Sequence, residues 1–203
     1  MVKKTALRQD FLHPDTEEDD NANEICRGLQ SDAEDGVPVR AELPFNSQTL
    51  AQLSPLQFEA AVGALFIAEG YLVVLTARSG DGGADVIAAS KGALVLVQAK
   101  HSRSNIPIDE AAIGDVVGAL DIYGRELAAD CDAMIVTNAA VSQAAVAEAR
   151  RFGIELLSGN RLVERLREAG VGLSAMAACE ARRCRTFAEG LVRAKLIVPQ
   201  INQ

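Results

Sequence analysis

The chain has 203 residues, a length that is typical of one domain of ordinary size with short appendages. Hydrophobic residues make up 49% of it and charged residues 24%, which is typical of a globular protein with enough apolar side chains for a sizeable core. Its net charge of −8 argues against a protein that coats nucleic acid indiscriminately. The charge does not exclude an enzyme that binds DNA through a local basic surface, and acidic side chains are what a metal site needs.

The cysteines and histidines exclude several kinds of site and favour a reducing, cytoplasmic location. Four cysteines are scattered without Cys-x-x-Cys spacing, which argues against a structural zinc site and a disulfide framework. Only His13 and His101 are available as the base of a Ser-His or Cys-His nucleophile. No apolar run approaches the roughly 20 residues of a membrane span, and the N-terminus lacks the apolar stretch of a signal peptide. We therefore expect no membrane partner.

Residues 1–47 are predicted to form a poorly ordered, acidic arm. They contain 5 Lys or Arg against 11 Asp or Glu, three of the six prolines, and no sustained apolar period. Such a segment is most often a solvated tail, and a partner-binding or DNA-mimicking role is the less favoured alternative. The arm is expected to contribute little to the fold.

The ordered region is expected to begin at Ser54-Pro55-Leu56-Gln57, which is typical of a helix start with a capping box. This helix ends at Gly70. Three strands follow, and the short turns between them make them antiparallel neighbours; they are predicted at residues 71–77, 85–89 and 94–100.

Strands and helices alternate in the second half, so further strands are expected to join the sheet in parallel. Helices are predicted at residues 109–129, 142–152 and 160–169, and strands at 133–137 and 154–157. The order αβββαβαβα predicts an α/β fold, a mixed central sheet with helices on both faces. Residues 171–203 carry 5 Lys or Arg against 2 Asp or Glu and are predicted to form one more helix, roughly 173–195.

One group of polar residues is predicted to meet at a sheet edge. Asp85 opens the second strand, and Gln98-Ala99-Lys100 closes the third. Because side chains alternate between faces, Gln98 and Lys100 point the same way. Asp85, the Gln98 Oε1 and the Ala99 carbonyl are oxygen donors of the kind that Mg²⁺ takes, with Lys100 close to a water. A metal that activates water and a lysine that orients it are the minimum for cutting a phosphodiester.

A specific combination of motifs identifies a family resemblance. The chain from Leu53 to Glu59, the run Gly80-Asp81-Gly82-Gly83-Ala84-Asp85 and the segment Val97 to Lys100 resemble the catalytic domain of Mrr-type restriction endonucleases. That family belongs to the PD-(D/E)xK nuclease superfamily, and this branch is similar in carrying Gln where most relatives have an acid. The resemblance covers about residues 50–168.

The resemblance implies a restriction-endonuclease-like αβββαβ core, a Mg²⁺ cofactor with Mn²⁺ as a possible substitute, and DNA as the partner. It implies that Asp85 is the metal-binding aspartate, that Gln98 takes the acid position of the motif, and that Lys100 is its lysine. Glu59 on the first helix matches a glutamate that completes the metal site, so the implied catalytic residues are Asp85, Gln98, Lys100 and Glu59. The implied metal ligands are Asp85, Gln98, Ala99 and Glu59.

On this basis residues 48–170 form the nuclease domain, between the acidic arm of 1–47 and a basic helical extension of 171–203. Mrr-type proteins commonly pair this domain with a DNA-recognition module, for which the arm is too short and irregular. Basic residues near the site are also few, namely Arg78, Lys91, Arg103 and Arg125. A homodimer or a recognition partner protein is therefore a further expectation.

Simpler interpretations remain for each residue. Asp85 can be an ordinary turn acid, as Asp81 is expected to be, and Glu59 can be a partner of the helix dipole. His101 is expected to be a solvated loop residue, and the C-terminal arginines are expected to lie on an exposed helix face. The function expected is a Mg²⁺-dependent DNA endonuclease of restriction or defence. The alternatives are a catalytically inactive nuclease-fold subunit or a DNA-targeting effector that acts through partners, and an acidic interaction protein that acts through residues 1–47.

Overall fold

The computed structural model describes residues 45–80, 82–90 and 93–198. The predicted acidic arm, apart from residues 45–47, therefore lies outside the described residues. The same holds for Asp81, for Lys91 and for His13. Within the described ranges, no helix is both long and apolar enough to cross a membrane.

Order begins earlier than Ser54, because an additional short helix precedes the predicted one. This helix, α1 (Ser47–Gln52), starts at a capping box in which Asn46 and Thr49 bond to each other's backbone N–H groups. Phe45, Leu50 and Leu53 are buried in the main core. The polypeptide before the expected start therefore belongs to the folded domain.

The predicted first helix is confirmed as α2 (Pro55–Ala68). The Ser54 hydroxyl accepts from the Gln57 N–H at 3.2 Å, and the Gln57 side chain accepts from the Ser54 N–H at 2.9 Å. This reciprocal bonding satisfies backbone donors that a helix start otherwise leaves without partners. Most of the helix from Phe58 to Phe66 is buried.

The five strands form one mixed sheet, as expected. The strands are β1 (Leu72–Leu75), β2 (Val86–Ser90), β3 (Ala93–Lys100), β4 (Asp132–Thr137) and β5 (Glu155–Ser158). They lie side by side in chain order. The pairs β1–β2 and β2–β3 are antiparallel, whereas β3–β4 and β4–β5 are parallel. The carboxyl ends of β3, β4 and β5 therefore meet at one edge of the sheet.

Helices cover both faces of the sheet. The remaining helices are α3 (Ala111–Leu127), α4 (Gln143–Phe152), α5 (Gly159–Glu168), α6 (Leu173–Ala181) and α7 (Phe187–Ile197). One core cluster packs α1, α2, α5 and α6 against side chains such as Val97 and Ala99. The alternate side chains of the strands, such as Leu96 and Ile135, pack against α3, α4 and α7 on the other face.

The expected single helix of residues 173–195 is wrong, because the chain breaks into α6 and α7. At the break, the Cys184 N–H donates to the carbonyl of Leu75 at the end of β1. Thr186 then caps α7 by accepting from the Glu189 N–H. The break thus exchanges helix hydrogen bonds for a tertiary bond that ties the C-terminal helices to the sheet.

Arg183, within this break, is buried rather than on an exposed helix face. Its side chain is 4% exposed and lies 2.7 Å from a carboxylate oxygen of Glu59 and 2.7 Å from one of Glu180. It also donates to the carbonyls of Leu56 at 3.0 Å and Thr76 at 3.4 Å. Burial acts to lower the pKa of Arg183, but its hydrogen bonds and the charges of Glu180 and Glu59 outweigh that and raise it. The residue is a fixed cation between α2 and the C-terminal helices.

The position where the fold begins is tested by two shortened chains. A chain that starts at Phe45 is expected to fold, because the described core begins there. A chain that starts at Ser54 lacks three buried side chains, each of which contributes about 1.5–3 kcal/mol, so its urea midpoint should fall sharply. Circular dichroism and urea unfolding provide the measurement. Equal stability of the two chains would mean that α1 adds nothing to the fold.

The buried cation is tested by Arg183→Met. This change removes the Arg183 guanidinium from the Glu59 carboxylate and should cost about 3–5 kcal/mol of unfolding free energy. The exposed Arg185 provides a matched control, and Arg185→Met should stay within about 0.5 kcal/mol of the original chain. Adding Glu59→Gln to Arg183→Met should recover part of the loss if the two side chains are coupled. A strictly additive double variant contradicts the coupling.

Candidate active site

Asp85 is held at the start of β2 by its own backbone. Its N–H donates to the carbonyl of Val97 on β3 at 2.9 Å, and its carbonyl accepts from the Thr76 N–H at 3.0 Å. The Thr76 hydroxyl donates to the carbonyls of Ala84 and Asp85. Asp85 is 6% exposed. Its carboxylate therefore occupies a defined position at the edge of the sheet.

The Asp85 carboxylate contacts the end of β3 directly. Its Oδ2 accepts hydrogen bonds from the Gln98 side-chain amide and, at 2.7 Å, from the Ala99 N–H. The register explains the contact, since Val86 pairs with Val97 and so places Asp85 opposite Gln98. The predicted meeting of these three residues is observed. The Asp85 carboxylate is also the hydrogen-bond partner that the Gln98 amide requires within an otherwise apolar strand.

Lys100 ends β3 two residues beyond Gln98, and its ammonium is bonded to Asp115. The Lys100 Nζ lies 2.8 Å from the Asp115 Oδ2, and the two side chains are 31% and 57% exposed. The Lys100 carbonyl accepts from the Thr137 hydroxyl at 2.6 Å, which fixes the backbone at the end of the strand. Lys100 is expected from the sequence to lie near Asp85. Its bond to a carboxylate of α3 is an additional contact that the sequence did not predict.

Asp115 is not among the site residues predicted from the sequence. It lies at the margin of the buried face of α3, which includes Ala112 and Ala119, and its side chain is 57% exposed. An exposed carboxylate does not require a partner, so its bond to Lys100 follows only from the packing of α3 on the sheet.

Gly83 allows the loop before Asp85 to run close to α3. Its φ is +87°, and a Cβ there would lie 3.0 Å from the Asp115 carbonyl oxygen and 3.3 Å from the Ala119 Cβ. Both the backbone conformation and the space favour glycine. The Gly-rich run, which is predicted from the sequence to form a turn, thus lets the start of β2 lie close to α3, the helix that carries Asp115.

Glu59 comes from the opposite layer of the fold. Helix α2 packs on the face of the sheet that includes Ala99, whereas Gln98 points to the other face. One oxygen of Glu59 accepts from Arg183 at 2.7 Å. The interpretation as a partner of the helix dipole is therefore incomplete, because a specific buried cation binds this carboxylate. Arg183 had no signal in the sequence, since its position depends on how the C-terminal helices pack.

His101 is part of the packing rather than a solvated loop residue. One ring nitrogen lies 3.0 Å from the carbonyl of Leu50 on α1. Its ring centroid is 5.4 Å from that of Phe58 on α2. The residue after Lys100 thus anchors the end of β3 to both N-terminal helices.

Cysteine chemistry is not supported at the described residues. Burial, with a smaller contribution from Asp130 and Asp132, raises the pKa of the Cys131 thiol to about 11. Burial also raises the pKa of Cys179 to about 11. Both thiols are therefore protonated at neutral pH, whereas the thiolate is the form that attacks or binds a metal.

The donors at the sheet edge suit a hard divalent cation. Within residues 45–80, 82–90 and 93–198, no three His, Cys, Asp or Glu side chains form a group that can hold a metal. The Asp85 carboxylate is bonded instead to the Gln98 amide nitrogen and the Ala99 N–H, and the same Gln98 amide carries a neutral oxygen, Oε1. A half-turn of the Gln98 amide exchanges its nitrogen for its oxygen. Mg²⁺ usually binds through one or two carboxylates and keeps several waters, so this sparse set fits it.

Solved structures that are similar to this chain include two restriction endonucleases. MspJI, solved in complex with an oligonucleotide, has a TM-score of 0.51 and 18% identity over 79% of this chain and 42% of its own. AspBHI, a DNA modification-dependent restriction endonuclease, has a TM-score of 0.49 and 22% identity over 73% of this chain and 43% of its own. A protein of unknown function, AF1548, has a TM-score of 0.46 and 16% identity, over 62% of this chain and 95% of its own.

The chain thus spans less than half the length of either restriction endonuclease. A search of curated proteins finds no match. The sequence model of the family Mrr_cat, restriction endonuclease, matches residues 50–166, close to the span of the resemblance. That match covers more than half of the 203 residues of the chain. The chain therefore belongs to the Mrr_cat family of restriction endonucleases.

Proposed function

We propose that the protein is a metal-dependent DNA endonuclease that hydrolyses phosphodiester bonds in restriction or defence against foreign DNA. The observation that carries this proposal is the convergence of Asp85, Gln98 and Ala99 at one sheet edge, with Lys100 ending the same strand. Family membership supports the nuclease class. DNA as the substrate is supported by the oligonucleotide in the structure of MspJI, which is similar in fold.

The proposed cofactor is Mg²⁺, with Mn²⁺ as a substitute. Asp85, the Gln98 Oε1 and the Ala99 carbonyl are the proposed ligands, and the Glu59 carboxylate adds negative charge from α2. When bound, the cation supplies the Lewis acidity that lowers the pKa of water and stabilises charge on the phosphate.

Lys100 is proposed to act on the nucleophile and the transition state. Its ammonium donates to the attacking water and stabilises the negative charge that develops on the phosphate oxygens. Asp115 holds this ammonium at 2.8 Å, so the lysine is oriented at the end of β3. The group acts from a partly buried position, where a fixed charge is more effective than in bulk water.

We further propose that residues 48–170 are the nuclease domain, with residues 1–47 as an acidic arm and 171–203 as a basic extension. We also propose a second copy of the chain or a recognition protein as a partner. This division is supported by the family match at residues 50–166. A cytoplasmic location suits both foreign DNA as the substrate and the scattered cysteines.

The second candidate function is a catalytically inactive nuclease-fold subunit, or an effector that acts through partners. One contact favours it: Glu59 is bonded to Arg183, whose positive charge offsets the negative charge that the carboxylate would add to a metal site. A plasmid-nicking assay with Mg²⁺ and with excess chelator distinguishes the two functions. An active site in this chain produces nicks that depend on Lys100, whereas the inactive subunit produces none.

Nicking is expected to require a hard divalent cation and to fall steeply with salt. Phosphate contacts release counterions, so raising the salt from roughly 50 to 200 mM should strongly reduce the rate at limiting DNA. The measurement is the nicking rate across a salt series, with and without excess chelator. Full activity in the chelator would remove the metal from the proposal.

Variants of the site should separate metal binding from catalysis. Lys100→Ala is expected to lower the nicking rate by about 10²–10³ and to leave calorimetric Mn²⁺ binding unchanged. Asp85→Asn should weaken Mn²⁺ binding first, and Glu59→Gln should weaken it less, because the Glu59 carboxylate is shared with Arg183.

The matched control for these variants is Lys195→Ala, which removes a 55% exposed lysine of α7. It should nick at the original rate. Nicking by Lys100→Ala at the rate of this control would contradict the role of Lys100 and favour the inactive subunit.

A further inference from the structure

A cleft of about 620 Å³, lined mainly by residues with hydroxyl or amide side chains, begins two residues beyond Lys100, the last residue of β3. Its walls include Ser102, Asn138 and Ser158, which stand at or just beyond the carboxyl ends of β3, β4 and β5. The register aligns these ends, since Lys100 pairs with Thr137 and Thr137 pairs with Ser158. The cleft therefore continues the sheet edge at which Lys100 ends β3.

The lining of the cleft is unusual for a chain of net charge −8. None of the described residues that line it is Asp or Glu, and its one charged side chain is Arg103. The other polar groups are hydroxyls and amides, among them Asn105 and Asn160. None of the described lining residues is aromatic, so nothing there offers a surface on which a base can stack.

The walls are held in place by internal hydrogen bonds. The Asn138 side chain accepts from the Ser102 N–H at 2.8 Å and donates to the Ser102 carbonyl at 2.7 Å. The Thr137 hydroxyl bonds the Lys100 carbonyl at 2.6 Å. The cleft and the end of β3 are therefore parts of one ordered unit, so a molecule in the cleft has a fixed position relative to Lys100.

We propose that this cleft binds the sugar-phosphate backbone of the DNA next to the phosphodiester that is cut. Hydroxyl, amide and arginine groups are the side chains that contact phosphates and set the register of a protein on DNA. A cleft without carboxylates avoids repulsion of a polyanion, and the missing aromatic side chains favour the backbone over a base. The inference rests on the proposed function for its substrate, and it adds a binding site for the flanking strand.

The test measures the binding of a fluorescently labelled DNA duplex by anisotropy, in EDTA and low salt, where metal-dependent cleavage does not occur. Arg103→Glu and Asn160→Asp place negative charge in the cleft. Arg151→Glu is the matched control, because Arg151 is 71% exposed. It lies near the end of α4, which begins at the carboxyl end of β4 and runs away from this edge.

Arg103→Glu is expected to weaken binding by about tenfold or more, Asn160→Asp by several-fold, and Arg151→Glu by less than twofold. Arg103→Ala should reduce the slope of log K against log salt by about one, the value for one lost phosphate contact. Unchanged binding by the two cleft variants overturns the proposal. So does equal weakening by Arg151→Glu, or a wild-type chain that does not bind the duplex.

Plasmid nicking with Mg²⁺, measured on the same proteins, separates this proposal from the nuclease function. The expected binding pattern without nicking supports the cleft and rejects the endonuclease. Nicking by a chain whose cleft variants bind normally rejects the cleft and retains the endonuclease. Urea midpoints equal to that of the wild type ensure that the variants report on the cleft rather than on the fold.

Discussion

The antiparallel register of β2 and β3 is the constraint on which the candidate site depends. Pairing of Val86 with Val97 places Asp85 opposite Gln98 and lets the next backbone N–H, of Ala99, reach the same carboxylate oxygen. Because side chains alternate with a period of two, a slip of one residue would turn Gln98 and Lys100 to the opposite face. Val86 and Val97 pack in one core and Ile87 and Leu96 in the other, so the packing on both faces opposes that slip. Core packing and site geometry are therefore set by the same pairing.

Local signals in the sequence account for the parts of the fold that were predicted. The capping box at Ser54 and Gln57 involves residues three apart, and the short turns of the first three strands leave only antiparallel neighbours. Helix α1 uses the same local device, but its box pairs Asn46 with Thr49 instead of Glu or Gln, and it was missed. The shared orientation of Gln98 and Lys100 at the end of β3 was predicted, because the alternation of side chains along a strand depends only on residues adjacent in the sequence.

The remaining features depend on contacts between distant parts of the chain. No proline or glycine breaks the helical pattern between Ala181 and Phe187, so the sequence does not show that the Cys184 N–H leaves the helix for a strand carbonyl. The bond between Lys100 and Asp115 requires the packing of α3 on the sheet, and that between Glu59 and Arg183 requires both C-terminal helices. Side-chain identity alone does not select among such partners.

The contact between Arg183 and Glu59 has a consequence for how the protein is made. It joins residues 124 positions apart, so Arg183 leaves the ribosome long after Glu59 does. Domains generally fold as units during synthesis, so the helix with Glu59 and the whole sheet emerge before their buried cation is available. Nascent chains must therefore carry a partly assembled domain until α6 and the segment with Arg183 have emerged. Ribosome stalling or premature termination within α6 would leave the carboxylate of Glu59 without this arginine.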